Sequence, residues 1–91
     1  MKTLTLNLKR QYFEEIKNGI KKEEYRLVKP YWEKRLKDKS YDNILIKLGY
    51  PKPTEKDKII EVLWQGYTKK QITHTEFGSE PVWVFAIKLY D

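Results

Sequence analysis

The chain opens on a strict alternation. Thr3-Leu4-Thr5-Leu6-Asn7-Leu8 puts three leucines on one side of an extended segment and three polar residues on the other. That period of two predicts a half-buried strand. From Lys9 the spacing becomes helical: Tyr12, Phe13, Ile16 and Ile20 share one face, while Lys9, Arg10, Glu14 and Lys17 mostly face water. Asn18-Gly19 ends this helix, because glycine takes the left-handed conformation of a C-terminal cap without steric cost. Residues 21–28 favour helix in their front half and strand in their back half. With the helix just broken at Gly19, a strand is assigned from about Lys22. Pro30 then opens a second, short helix at the one place where its missing N–H costs nothing. Tyr31, Trp32, Arg35 and Leu36 lie on one side of it.

The remainder of the pattern is that of strands. Residues 42–50 form one, with Ile44, Ile46 and Leu48 on a common face, and residues 51–57, with two prolines and no bulky apolar side chain, form an exposed loop. Residues 59–64 and 67–74 read as two strands meeting at Gln65-Gly66, a pair suited to a hairpin turn or to a bulge in one bent strand. A loop containing Gly78 and Pro81 precedes residues 82–89, the most apolar strand and so the one expected at the centre of a sheet. There is no internal repeat, low-complexity tract or linker. The pattern predicts a single α+β domain, mostly β, with five to six strands and two short helices arranged as a closed or partly open barrel.

Composition narrows the classes. Ninety-one residues with 40% hydrophobic and 14% aromatic content support one domain with a core built on large rings. The absence of cysteine excludes a disulfide framework, a thiolate zinc site and a thiol nucleophile. One histidine and scattered carboxylates give no metal-binding spacing, and no cofactor motif is present. The longest apolar run, Val82 to Ile87, is far short of the roughly 20 residues of a membrane span, and no signal peptide is legible. A cytoplasmic location is the expectation.

Charge points further. The net charge is +6, and residues 1–40 hold twelve basic and six acidic side chains against seven of each in residues 41–91. The whole positive excess therefore sits in the first 40 residues, where it favours a polyanionic partner. The same region holds Gly19-Ile20-Lys21-Lys22-Glu23-Glu24-Tyr25-Arg26. In a strand Glu24 and Arg26 project from one face, and Lys21 joins them only if it lies in the turn before the strand becomes regular. A carboxylate between two cations is then a site for a phosphate or a polar ring. The blander alternative is a surface ladder of exposed charges, each pair worth about 0–1 kcal/mol.

These residues resemble the signature of the ASCH domains, of the broad PUA-like superfamily: G-x-K-x-x-E-x-R, in the loop and strand after the first helix. It is matched in full by Gly19, Lys21, Glu24 and Arg26. His74, Phe77-Gly78 and the final Val82-Trp83-Val84-Phe85-Ala86-Ile87 segment also look like compact bacterial and phage members. The resemblance implies a β-barrel flanked by helices, with a cleft lined by the motif residues that binds single-stranded RNA, a nucleotide or a nucleoside. Some members resemble small amidohydrolases acting on acylated cytidine, and on that analogy Lys21 and Glu24 would be catalytic. The chain departs from the hydrolase pattern in having Glu24 where those members have threonine. A neighbouring carboxylate favours the charged lysine and so hinders its use as a nucleophile.

Other residues enter as candidates. Tyr25, Tyr31 and Trp32 stand among Lys21, Lys22, Arg26, Lys29, Lys34 and Arg35, the mixture of rings and cations that single strands require. Trp32 reads mainly as the anchor of its helix, and Trp64 and Trp83 as rings packed in the core or at its edge. Tyr25 and Tyr31 remain stacking candidates. His74 with Glu76 offers a general acid–base pair, or simply a hydrogen-bonded strand end. Glu61 reads as the solvent-facing residue of an apolar strand. Three functions follow: an RNA- or nucleotide-binding domain with a basic cleft, an amidohydrolase on a modified pyrimidine nucleoside, and a protein-interaction module for an acidic partner.

Overall fold

The computed structural model describes residues 1–90. Along the chain lie β1 (Thr3–Leu8), α1 (Arg10–Lys17), β2 (Glu23–Leu27), α2 (Pro30–Leu36), β3 (Asn43–Leu48), β4 (Ile59–Leu63), β5 (Tyr67–Ile72) and β6 (Val82–Lys88). Short 3₁₀ turns occupy Lys56–Lys58 and Thr75–Phe77. No helix among the described residues is long and apolar enough to cross a membrane.

The strands form two three-stranded sheets and no closed barrel. In the first the order is β1-β3-β4, with β1 parallel and β4 antiparallel to β3. In the second, β6 lies between β2 and β5, antiparallel to both. The central place expected for the most apolar strand is thus the place β6 holds. Register follows the alternation read from sequence: Leu4 faces Ile44 and Leu6 faces Ile46, while Ile44 and Ile46 face Val62 and Ile60. These side chains, Phe85 and Ile87 of β6 and Leu89 just beyond it share one core with Phe13, Ile16 and Leu36 of the helices. Each such buried side chain stabilises the fold by about 1.5–3 kcal/mol relative to exposure.

Gln65-Gly66 turns out to be neither a hairpin turn nor a bulge within one sheet. β4 pairs only with β3 and β5 only with β6, so the dipeptide is the corner where the chain leaves one sheet for the other. Gly66 has φ +86° there, a conformation that glycine alone adopts cheaply. Its carbonyl accepts from the Lys88 amide at 3.1 Å and Gln65 Nε2 donates to the Leu89 carbonyl at 3.3 Å, tying the corner to the end of β6. Two other expectations change. Ile20 is exposed, because α1 stops before reaching it, and Trp83 is 57% exposed beyond the buried part of β6. Trp64 packs against the core as expected. Glu61 is exposed but not idle: it accepts from Asn43 Nδ2, and Thr3 Oγ1 donates to Asn43 Oδ1 at 2.7 Å, a polar ladder across all three strands of the first sheet.

Candidate functional site

The end of α1 decides where the first basic side chain of the site falls. The Gly19 amide donates to the Ile16 carbonyl at 3.0 Å and the Ile20 amide to the Glu15 carbonyl at 2.8 Å, with Gly19 at φ +74°. This is the Schellman arrangement, in which the left-handed residue reverses the chain. The Lys21 amide also reaches the Glu15 carbonyl, at 3.1 Å. Lys21 therefore sits in the turn before β2, free of the alternation that would have sent it to the opposite face. Its Nζ lies 3.2 Å from Glu24 Oε1. Arg26, two residues beyond Glu24 on the same face of β2, donates from Nη1 to Glu24 Oε2. One carboxylate thus holds two cations.

Burial gives this triad its weight. Glu24 is only 4% exposed, and the side chains of Lys21 and Arg26 are 14% and 17% exposed. Arg26 is fixed further by the carbonyls of Tyr25 at 3.0 Å and Asn7 at 3.3 Å, and its guanidinium carbon lies 5.2 Å from the centre of the Trp32 ring. The Lys21 ammonium stands between two rings, 4.9 Å from Tyr12 and 4.8 Å from Tyr25. Cations held against ring faces and a carboxylate are pre-organised, so an incoming anion need not freeze them.

Around the triad opens a cleft of about 270 Å³. Its lining includes Tyr12, Tyr25, Trp32, His74 and Phe77, and four cations (Lys9, Lys21, Arg26, Lys29) against the two carboxylates of Glu24 and Glu76. Burial pushes both Tyr12 and Tyr25 phenols above their ordinary value of 10, and hydrogen bonds to Glu76 and Glu23 add to the shift. Lys70, which bonds Glu23 at 2.6 Å, pulls the Tyr25 phenol the other way but does not offset burial. Neither phenol is ionised near neutral pH. Both serve as ring faces and O–H donors rather than as bases.

One rim of the cleft is held by the turn after β5. His74 Nδ1 accepts from the Glu76 amide at 3.0 Å, which requires that nitrogen to carry no proton. Glu76 in turn accepts from Lys9 Nζ at 2.8 Å and from the Tyr12 hydroxyl at 3.2 Å. The hydrogen bond from Lys9 is the main reason the Glu76 carboxyl lies below its ordinary 4.5, and the same bond raises Lys9 above 10.5. A depressed carboxyl contributes its pairing above the ordinary value and loses it as pH falls through the lowered pKa. The lysine's contribution stands below 10.5 and fails only as pH rises through the raised value. The latch is accordingly complete from mildly acid to mildly alkaline pH. An NMR titration of the Glu76 carboxyl carbon should give a midpoint below 4.5 that moves upward in Lys9→Ala; a midpoint unmoved by that change would contradict the latch.

The structure gathers Lys21, Glu24, Tyr25, Arg26, His74 and Glu76 at one cleft. Gly19 and Tyr31 are outside its lining. Gly19 acts through the turn it permits, and Tyr31 is 57% exposed and stacks on Arg35 at 3.5 Å. Trp32, read from sequence as an anchor, packs against the core and also lines the cleft. Tyr12, Lys9 and Phe77 were not singled out as site residues. Tyr12 left one sequence signal, a hydroxyl-bearing ring on the apolar face of a short helix, which alone does not separate a site from a core. Among the described residues no group of three or more His, Asp or Glu side chains gathers in a metal-holding arrangement.

Compared with protein-family models, with curated proteins and with solved structures, the chain finds no match in any of the three.

Proposed function

We propose that this chain is an ASCH-like domain of the PUA-like superfamily that binds RNA or a nucleotide in the cleft beside β2. The observation that carries the reading is the Glu24 carboxylate holding Lys21 and Arg26 side by side at an aromatic-lined cleft. Arg26 presents a planar fork suited to phosphate or a base edge, Lys21 a point charge, and Tyr12, Tyr25 and Trp32 the ring faces on which a base stacks. Ligand pockets usually span about 300–1,000 Å³, and a cleft of about 270 Å³, just below that range, suits one base or nucleoside at a time. In the same reading, the two sheets wrapped on one core and joined at the Gln65-Gly66 corner are the two halves of a partly open barrel.

Amide hydrolysis fits the cleft less well. The lining brings no serine or threonine hydroxyl beside Lys21, and Glu24 occupies the place where the hydrolase pattern has threonine. Lys21 Nζ lies 3.2 Å from the buried Glu24 carboxylate, which ties it into an ion pair instead of leaving it free to attack a carbonyl. A protein-interaction role has no observation that favours it over the cleft.

The test is a calorimetric titration with uridine, uridine monophosphate and a single-stranded RNA octamer, beside an assay for deacylation of an acylated cytidine. Phosphate should improve binding of the nucleoside by roughly 10–100-fold, the equivalent of one charge-assisted hydrogen bond at about 1.5–3 kcal/mol. Equal or absent binding of nucleoside and monophosphate would remove the reading, and turnover of the acylated nucleoside would replace it with the hydrolase.

A further inference from the structure

A second set of rings and cations lies outside the cleft. Lys2, Lys34, Arg35, Lys39 and Tyr41 line a shallow basin beside α2. Among the described residues, none of these four cations is ion-paired with a carboxylate, whereas Lys9, Lys21, Arg26, Lys58 and Lys70 all are. Arg35 lies 3.5 Å from the centre of the Tyr31 ring and Lys2 Nζ 5.9 Å from that of Tyr41. Asp42, whose carboxylate accepts from the Lys2 amide at 2.7 Å, offsets part of this charge, and the remaining positive excess favours a polyanion.

The basin is joined to the cleft by side chains of α2. Arg26 in the cleft lies against Trp32, Trp32 meets Tyr31 edge to face at 5.1 Å, and Tyr31 carries Arg35 at the edge of the basin. Cation, ring, ring and cation follow one another across the helix. An exposed ring flanked by cations is what a single strand needs, bases on the ring and phosphates on the charges. The Asp and Glu side chains of an acidic polypeptide would meet the charges but place no ring on Tyr31.

We infer that the basin of Lys2, Lys34, Arg35 and Lys39 is a second contact site, for the phosphate backbone of a single-stranded nucleic acid whose other end occupies the cleft. The inference rests on the nucleotide-binding reading and extends it: the ligand is a strand of several nucleotides crossing α2, and a mononucleotide fills only part of the surface.

The test compares wild type with the triple variant Lys34→Gln, Arg35→Gln, Lys39→Gln, titrating labelled octauridylate and uridine monophosphate over a range of salt. Wild type should bind the octamer at least about ten-fold more tightly than the monophosphate at low salt. The triple variant should lose that gain, and its log–log salt slope should fall by about 2, three contacts at about 0.7 each for single strands. Its monophosphate binding should be unchanged, which also shows that fold and cleft survive. An octamer bound by wild type and variant with equal affinity and slope would overturn the inference while leaving the cleft reading intact. So would an octamer bound no better than the monophosphate, or one displaced equally well by poly-glutamate of matched charge. If the octamer binds through these three residues while no mononucleotide binds at all, the cleft reading fails, which overturns the strand spanning both sites and leaves only a phosphate contact at the basin.

Discussion

Glu24→Ala is expected to cost about 2–3 kcal/mol of folding stability, read by urea unfolding. Removing one partner of a buried ion pair costs about 3–5 kcal/mol because the remaining charge stays desolvated and unpaired. Here two cations would be left, but at 14% and 17% exposure both side chains retain some water, which sets the lower figure. For a domain of this size the loss corresponds to a drop in Tm of roughly 10–20 °C. Glu24→Gln keeps the shape and the hydrogen-bonding oxygen, so it should lose less. Inorganic phosphate should restore part of the stability of Glu24→Ala, since an anion bound to the folded state alone stabilises it by mass action. A loss below 1 kcal/mol, with no response to phosphate, would mean that the triad is only the surface ladder that the spacing also allowed.

Arg26→Ala is expected to weaken binding of uridine monophosphate by roughly 10–100-fold, the span of one or two charge-assisted hydrogen bonds at about 1.5 kcal/mol or more each. The substitution removes the fork that Glu24 and the carbonyls of Tyr25 and Asn7 hold in place, and it bares the Trp32 ring. Arg26→Lys separates charge from geometry. It keeps the cation but loses the planar, two-pronged donor set, so its affinity should fall between those of alanine and wild type. Far-ultraviolet circular dichroism matched to wild type would show that the fold survives. If Arg26→Ala binds the monophosphate as wild type does, the ligand does not meet the triad and the cleft beside β2 is not its site.

Much of this architecture was legible before any coordinates. The leucine alternation of β1, the helical spacing of α1, Gly19 as a helix stop and Pro30 at the start of α2 are local facts, set by side-chain period and backbone sterics within a few residues. So was the pairing of Glu24 with Arg26, because residues two apart on a strand must share a face. The arrangement of the strands was not legible. β4 and β5 read as the arms of a hairpin or as one bent strand, and only competition among partners sends one to β3 and the other to β6.

The site divides along the same line. Sequence by itself determined that Glu24 and Arg26 share a face, that Lys21 joins them only from the turn before the strand, that all three lie in the basic part of the chain, and that a glycine precedes them. Tertiary structure decided what surrounds that group. Tyr12 from α1, Trp32 from α2 and His74 with Glu76 from the turn after β5 converge on it from well-separated parts of the chain. It also left Tyr31, next to Trp32 in sequence, outside the cleft and against Arg35, a residue of the neighbouring basin. Neighbours on a helix point about 100° apart, so adjacent rings on α2 serve different surfaces, and which ring meets the cleft depends on how the helix is seated against the core.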